Sequence, residues 1–248
     1  MSTKMDKTAL QAIPSTPMNL ILLDSQDRQT TWSPSDPRAI HVRKVLDMVT
    51  GDSFFVGVEN GMMGKARILA DGEAGMALEV TLDRESPPPL PMHLLVGLPR
   101  PQVARRLLRE LPSLGVGKTT FFVADKSEAS YAQSSLWTGD EWKRLLREGA
   151  EQAFCTGIPK VEHTKNLEAA IKAMEEGKKV ALDLYETTGK LTAQNAPGTL
   201  AIGPEGGWTN RERDVLRAAN FEILTMGGRV MRVETAVIAA VAIVSSSY

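Results

Sequence analysis

Hydrophobic and polar positions follow two different rhythms along the chain, and the rhythm changes near residue 90. Before that point, short apolar runs at 19–23, 53–58, 62–69 and 76–82 are separated by turn residues. Asn60-Gly61, between the second and third runs, is the strongest short signal for a β-hairpin. Short strands with tight turns predict a small β-barrel of about 70 residues.

One helix is predicted inside this barrel region. Pro34 is placed to begin it, because proline favours the first helical turn, and Gly51-Asp52 follows its end. The predicted helix runs from Pro34 through Met48. Its apolar members are Ile40, Val42, Val45, Leu46 and Val49.

Proline-containing segments flank the barrel region. Residues 1–18 are polar, include Pro14 and Pro17, and predict a loosely ordered tail. Residues 87–91 include four prolines, which exclude a helix or a central strand and predict a stiff spacer. We therefore predict a barrel domain at 19–86 and a second domain at 92–248.

Apolar runs and helical patterns alternate in the second domain. The apolar runs lie at 92–98, 119–124, 179–184, 199–202 and 221–225. The helical patterns lie at 101–111, 139–154, 166–176, 209–219 and 233–244. This alternation predicts an α/β domain with a mostly parallel sheet.

Composition is typical of a globular protein, with 42% hydrophobic and 24% charged residues and a net charge of −1. That balance excludes a uniformly basic coat, so nucleic-acid binding would need a local positive surface. The single cysteine, Cys155, excludes an intrachain disulfide and a cysteine-based zinc site. The sequence shows no signal peptide and no apolar run of about 20 residues, which predicts a cytoplasmic protein without a membrane span.

Positive charge is concentrated early in the second domain. Residues 91–150 carry nine basic and six acidic side chains, and Arg100, Arg105, Arg106 and Arg109 fall within ten residues. Arg105 and Arg109 share one helix face at i, i+4 spacing. This face either is solvated or binds phosphate, for which the arginine fork is suited.

Gly115–Thr120 resembles a phosphate-binding P-loop but lacks its pattern. The required first glycine is replaced by Pro112, and the segment follows a predicted helix and begins a predicted strand. We therefore interpret Gly115 as the end of a helix, and we exclude an NTPase site.

Two late segments concentrate the candidate chemistry. Residues 200–210 read as strand, glycine-rich turn and helix, with Glu205 inside the turn. Residues 226–236 again place glycines after a strand, followed by Arg229, Arg232 and Glu234 before an apolar helix. Ligands collect beyond the carboxyl ends of strands in open α/β sheets, so both segments are expected to line one pocket.

These two motifs, GPEGGW and MGGRVMRVETA, resemble the RsmE family of ribosomal RNA methyltransferases, which belongs to the SPOUT superfamily. Weaker matches at 41–46, 98–101, 126–131 and 151–159 extend the resemblance over roughly 19–244. It implies a PUA-like, RNA-binding N-terminal barrel and a knotted parallel sheet with helices on both faces. It also implies methylation of uridine N3 in small-subunit ribosomal RNA with S-adenosylmethionine as methyl donor, no metal, and a homodimer packed through the apolar 236–244 helix.

The resemblance also assigns site residues. The donor would be held by loops at 182–186, 203–208 and 226–235, specifically by Leu182, Asp183, Gly203, Pro204, Glu205, Gly206, Gly207, Met226, Gly227, Val230, Met231, Arg232 and Thr235. Arg232 would stabilise charge on the uracil oxygens, and Glu205 or Glu234 would accept the N3 proton. Candidates for contact with the RNA or the 30S subunit are His41, Arg43, Lys44, Arg100, Arg105, Arg109 and Arg229.

Several features keep alternatives open. Glu110, Ser113 and Cys155 depart from residues common in the family, and Pro112 interrupts the central helix. These departures affect the expected RNA contacts more than the donor pocket. The alternatives are a non-catalytic RNA-binding assembly factor and a SPOUT methyltransferase acting on another RNA position. His93 and His163 lack metal-ligand spacing and are interpreted as structural or exposed, and Cys155 as a small buried hydrophobe.

Overall fold

The computed structural model describes residues 20–23 and 31–248, so the tail predicted at 1–18 lies outside the described residues. The first region forms a five-stranded sheet. Its elements are β1 (Leu20–Leu23), β2 (Thr31–Trp32), α1 (Pro37–Lys44), β3 (Ser53–Val58), β4 (Met63–Gly72) and β5 (Gly75–Arg84). The strand order is β1-β3-β4-β5-β2, with β3, β4 and β5 antiparallel and β1 parallel to β3.

This sheet curls into a half-barrel around one core. Ile21 on one edge strand and Trp32 on the other pack into the same cluster, together with Ala39 and Val42 of α1. The two edge strands are not paired with each other within the described residues, so the predicted small barrel takes the form of a half-barrel. The predicted hairpin is confirmed: Asn60 takes a left-handed conformation, and the Val58 N–H donates to the Met62 carbonyl at 2.8 Å.

The helix expected from Pro34 through Met48 is shorter than predicted. Asp36 caps it by accepting the Arg38 N–H at 2.8 Å, and Pro37 occupies its first turn. The helix ends at Lys44, and Asp47 follows with a φ of 52°. Val45 and Val49 lie beyond the helix and are 64% and 66% exposed, so the apolar spacing continues past the segment that the core can bury.

Residues 85–89 lead from β5 into a second sheet of seven strands. These strands are β6 (Leu90–Gly97), β7 (Val116–Phe122), β8 (Lys160–Thr164), β9 (Lys179–Leu182), β10 (Gly189–Lys190), β11 (Thr199–Ile202) and β12 (Glu222–Thr225). Their order is β10-β12-β9-β11-β6-β7-β8, and every pairing is parallel, as the alternating pattern predicts. β8 and β10 are edge strands that the hydrophobic pattern missed.

Helices cover both faces of this sheet. They are α2 (Pro101–Glu110), α3 (Ser135–Thr138), α4 (Glu141–Gln152), α5 (Leu167–Lys172), α6 (Asn210–Ala218) and α7 (Val233–Ser245). One core cluster contains side chains of α2, α3, α4 and α7, and a second, on the other face, contains side chains of α5 and α6. This layering confirms the predicted α/β class.

The connection from β9 to β11 takes an unusual route. These strands are neighbours, yet the chain between them first forms β10 at the far edge, beyond β12, and then returns. The C-terminal helix α7 packs on the returning segment, where Ser247 donates to the Ala193 carbonyl and Tyr248 to the Pro197 carbonyl. β12 therefore lies between β9 and β10 in the sheet, although it follows both in sequence.

The segment that resembles a P-loop is a helix terminus followed by a strand. α2 ends at Glu110, the Ser113 hydroxyl donates to the Glu110 carbonyl at 2.8 Å, and Gly115 has a φ of 69° before β7 begins. Left-handed glycine is the usual way to terminate a helix. The structure thus confirms that Gly115 ends the helical segment.

Helices α2 and α4 are in close backbone contact at Gly149. A Cβ atom there would lie 2.2 Å from the Arg109 carbonyl oxygen, which is backbone and cannot rotate away. We expect Gly149→Ala to lower the free energy of unfolding by about 1–3 kcal/mol, measured by denaturant titration. Gly157→Ala is the control, because its Cβ would meet nothing within 4 Å. Equal stability of the two variants would contradict this packing.

Candidate functional site

Three loops meet where the chain leaves the carboxyl ends of β9, β11 and β12. They enclose a cleft of about 190 Å³. The lining consists of residues 182–185, 202–208, 225–227 and 229–231, with Val233 and Ala236. Eleven of the thirteen predicted donor-binding residues are in this lining, and the exceptions are Arg232 and Thr235. The site therefore lies at the sheet edge where open α/β folds bind ligands.

The glycine-rich loop, residues 203–208, is held in place by close packing. A Cβ atom on buried Gly97 would lie 2.6 Å from the Pro204 nitrogen, so β6 approaches the loop as closely as glycine permits. The Trp208 indole N–H donates to the Leu182 carbonyl at 2.8 Å, which ties this loop to the end of β9. The Lys126 ammonium donates to the Gly206 carbonyl at 2.9 Å. These contacts shape the loop without a ligand.

The loop after β9 begins with Asp183, whose carboxylate is already engaged. Arg213 of α6 donates from Nε to Asp183 Oδ2 at 2.6 Å, and the two side chains are only 9% and 5% exposed. Burial alone would raise the pKa of Asp183, but hydrogen bonds from Arg213, Tyr185 and Leu184 outweigh it, so the pKa lies below its ordinary value. The Asp183 carboxylate is thus occupied by protein contacts.

The loop after β12 leaves its backbone available. No main-chain hydrogen bond to another described residue involves residues 228–231. Val230 is 78% exposed, Met231 is 37% exposed, and both line the cleft. Free main-chain donors and acceptors beside apolar side chains suit a ligand with both a polar ring edge and an apolar arm.

The three catalytic candidates lie near the N-terminal ends of α2 and α7. Arg100, the N-cap of α2, donates to Glu205 at 2.8 Å. Arg106 lies 3.6 Å from Glu234, whose second carboxylate oxygen is buried and has no hydrogen-bond donor among the described residues. Arg232 is the exposed N-cap of α7, and its side chain has no ion pair or hydrogen bond in the described part of the chain.

Comparisons with known proteins identify the family. The family model of the RNA methyltransferase domain matches residues 86–245. The ribosomal RNA small subunit methyltransferase E of Treponema pallidum is 32% identical over 240 residues, covering 92% of this chain and 90% of that protein. The chain belongs to the RsmE family of RNA methyltransferases.

Two further relatives agree with this membership. The ribosomal RNA small subunit methyltransferase E 1 of Borreliella burgdorferi is 29% identical, covering 92% of this chain and 98% of that protein. A ribosomal RNA small subunit methyltransferase E of Neisseria gonorrhoeae, solved bound to S-adenosyl methionine, superposes with a TM-score of 0.73 at 20% identity. That match covers 93% of this chain and 98% of the other, and it shows that the RsmE fold is shared along nearly the whole chain.

Most of the arginines predicted to bind RNA in this RsmE-family chain are paired with carboxylates. Both Arg43 and Arg105 form two-pronged ion pairs, with Asp71 and Glu141 respectively. Arg109 also reaches a carboxylate, that of Glu148 at 3.3 Å. The helix face that carries Arg105 and Arg109 therefore packs α2 against α4 and is not a row of free cations.

The other RNA candidates are less constrained. His41 is half-buried and Lys44 is exposed, both on α1. Arg229 is exposed, lines the cleft, and makes no ion pair within the described residues. For Lys44 and Arg229 the phosphate-binding role remains a prediction that their surroundings permit.

Sequence reasoning did not single out Tyr185, Lys126 or Arg213, although all three bear on the cleft. Tyr185 lines it and is 75% exposed. Lys126 and Arg213 hold its loops through contacts that span 80 and 30 residues of sequence. Such distant partners carry no local signal, so only the fold reveals them.

His93, His163 and Cys155 are in surroundings typical of structural residues, because burial shifts the pKa of each toward its neutral form. His93 Nε2 lies 2.8 Å from the Thr120 hydroxyl, and burial together with Lys118 lowers the pKa of His93 to about 4. Burial also lowers the pKa of His163 and raises that of the Cys155 thiol. Within residues 20–23 and 31–248, no group of three or more His, Cys, Asp or Glu side chains is arranged to hold a metal ion. Among the described helices, none has the length and apolar character of a membrane span.

Proposed function

We propose that this protein transfers the methyl group of S-adenosylmethionine to N3 of a uridine in small-subunit ribosomal RNA. The observation that carries the proposal is the cleft: the two specific RsmE motifs, at 203–208 and 226–236, line one space at the carboxyl ends of the strands. The relatives named above are small-subunit ribosomal RNA methyltransferases, and the Neisseria structure was solved with S-adenosyl methionine bound.

The cleft fits this donor by its chemistry. Free main-chain groups of residues 228–231 would recognise the adenine edge, and Ile202, Val230 and Met231 would surround the apolar arm. The lining contains two acidic residues, Asp183 and Glu205. Asp183 lies in a buried ion pair, whereas the pair of Glu205 with Arg100 is exposed, so the Glu205 carboxylate would face the positive sulfonium. The bound donor supplies an already activated methyl group, so the chain's own residues need only position the acceptor and manage its proton.

The N3 proton of uridine is the chemical obstacle, because a neutral imide nitrogen is a poor nucleophile. Arg232, exposed and unpaired within the described residues, is the group we assign to stabilise negative charge on the uracil oxygens. Glu205 lines the cleft and is assigned as proton acceptor, whereas Glu234 is 12% exposed and outside the lining. The target base must be unpaired or flipped, since pairing engages its N3 edge.

The decisive experiment is methyl transfer to small ribosomal subunits that lack the modification, with calorimetry of S-adenosylmethionine binding in parallel. Donor binding together with new N3-methyluridine, identified by mass spectrometry of nucleosides, would support the proposal. Donor binding together with methylation at another atom would instead support the alternative of a SPOUT methyltransferase that acts on another RNA position. A folded protein that binds RNA but not the donor would make it the assembly factor considered above.

We further propose a homodimer formed through α7. Val233–Ser245 contains no charged residue after Glu234, yet Thr235, Ile238 and Ala242 are exposed along one side. Ile238 is 39% exposed on this apolar surface. Burying it against a second copy removes apolar area from water.

Ile238→Glu is therefore expected to convert the dimer to a monomer, measured by sedimentation velocity. The introduced carboxylate would be buried without a partner, which costs several kcal/mol. Val49→Glu is the control, because Val49 is 66% exposed in the first region, outside α7. A monomeric wild-type protein, or a dimeric Ile238→Glu variant, would contradict the proposed interface.

RNA contact by the N-terminal half-barrel completes the proposal. Its exposed cations include Lys44, Lys65 and Arg67, and the latter two lie two residues apart on the outer side of β4. A ribosomal substrate would place the activity in the cytoplasm. Whether naked RNA or the assembled 30S subunit is the acceptor is decided by running the same assay on both.

A further inference from the structure

One guanidinium group holds both ends of the loop that follows β9. Arg213, on α6, reaches Asp183 at 2.6 Å and Glu186 at 3.8 Å. The two residues between them, Leu184 and Tyr185, line the cleft. The same guanidinium also donates to the Asn210 side chain at 3.2 Å. Arg213 therefore bridges the short loop across its two ends.

The Asp183 carboxylate carries this constraint into the loop backbone. Its Oδ1 accepts the main-chain N–H of Leu184 at 2.7 Å and that of Tyr185 at 3.3 Å. Arg213 Nη2 approaches the same oxygen at 3.4 Å, while Nε donates to Oδ2. Because one carboxylate joins the guanidinium to both amides, the position of Arg213 sets the path of the backbone along the cleft.

Helix α6 links this loop to the glycine-rich loop. The helix begins directly after Trp208, with Thr209 as N-cap and fully buried Glu212 completing a capping box. Glu212 also accepts the Asp125 N–H at 3.0 Å, which anchors the helix start to the segment after β7. Arg213 is the next residue. The glycine-rich loop thus fixes the start of α6, and α6, through Arg213, fixes the loop that follows β9.

A buried ion pair is an expensive way to gain stability, because both charges lose their hydration. Here the side chains of Arg213 and Asp183 are 9% and 5% exposed and lie beside the cleft. At this place the ion pair contributes more by fixing the geometry of the cleft than by stabilising the fold. We infer that Arg213 is a positioning residue for the methyl donor: through Asp183 it holds residues 184 and 185 in the path that the donor requires. The inference rests on the proposed function and adds a residue and a mechanism to the donor site.

The test compares Arg213→Lys with Arg217→Lys. Lysine keeps the charge but loses the planar fork that contacts Asp183 through two nitrogens. Arg217 is a matched control on the same helix, 46% exposed and paired with Glu186 of the same loop. We expect Arg213→Lys to weaken S-adenosylmethionine binding by about 10- to 100-fold in calorimetry, because small displacements of a binding group have effects of that size. Arg217→Lys should change it by less than about twofold.

Hydrogen exchange gives a readout that needs no ligand. The amides of Leu184 and Tyr185 are protected by Asp183 Oδ1, so they should exchange at least about tenfold faster in Arg213→Lys while core amides of β11 do not. Asp183→Asn is a second variant, which keeps the Oδ1 acceptor and removes the charge. If the pair acts as one unit, combining it with Arg213→Lys should weaken donor binding no further than the more affected single variant.

The outcomes separate this inference from the proposed function. If the wild-type protein binds S-adenosylmethionine, and Arg213→Lys shows the same affinity and the same amide exchange, the positioning role is overturned and the proposed function stands. Uniformly faster exchange across the whole protein would also overturn it, because Arg213 would then be a general stabilising residue. Failure of the wild-type protein to bind the donor would overturn the proposed function and, with it, this role for Arg213.

Discussion

Arg232→Ala is expected to lower the methyl-transfer rate by about 100- to 1,000-fold, the usual effect of removing one preorganised charge from a transition state. Donor affinity should stay within about threefold of wild type. The structure explains the separation, because Met231 and Val233 line the cleft while Arg232, between them, does not. Its guanidinium is exposed beside the cleft and has no partner among the described residues, so it is free to meet an incoming base.

Single-turnover kinetics with saturating donor and unmodified subunits measure this rate directly, and calorimetry measures the donor affinity. Arg144→Ala is the control for loss of one exposed arginine, because Arg144 lies on α4, is 59% exposed and is outside the cleft lining. Folding should be unaffected, since the Arg232 side chain makes no capping hydrogen bond to α7. An unchanged rate in Arg232→Ala, or an equal loss of donor binding, would contradict the assigned role.

The cleft was predictable from sequence because the residues that line it are local motifs after strong apolar strands. β11 has the predicted bounds, 199–202, and the glycines that follow it are legible without a structure. The strands that escaped prediction are edges: β8 reads KVEHT, and β2 and β10 have two residues each. Such segments become strands through pairing with a neighbour, which no single window of sequence records.

The arginines show what the sequence could not predict, namely the partners of charged side chains. The four arginines between residues 100 and 109 predict either a solvated or a phosphate-binding helix face, and in the structure Arg105 and Arg109 pair with carboxylates 36 and 39 residues away. Asp183, which was predicted to bind the donor, lines the cleft, and its carboxylate is held by Arg213. Side-chain pairing depends on which helices become neighbours, so charge counts predict where cations are but not what they bind.

Gly97→Ala is expected to have the second large effect, weakening donor binding by about 100-fold although residue 97 lies outside the cleft lining. The added Cβ would lie 2.6 Å from the Pro204 nitrogen and 3.0 Å from the Gly203 carbonyl carbon. Both are backbone atoms of the glycine-rich loop, so the loop itself must move away from β6. The strain should also lower the free energy of unfolding by about 1–3 kcal/mol.

A graded series distinguishes displacement of the loop from general damage. At Gly203 the three atoms nearest to the Cβ would all belong to the Trp208 side chain, the first at 3.1 Å. At Gly228, in the third loop of the same site, the Cβ would meet nothing within 4 Å. Calorimetric affinity for S-adenosylmethionine should therefore fall most for Gly97→Ala, less for Gly203→Ala, and hardly for Gly228→Ala. If Gly97→Ala bound the donor as tightly as Gly228→Ala, contact between β6 and the loop would not set the shape of the site. This order follows from the distance between each added Cβ and its nearest atom. If closeness to the cleft decided the effect instead, Gly228→Ala would weaken binding more than Gly97→Ala.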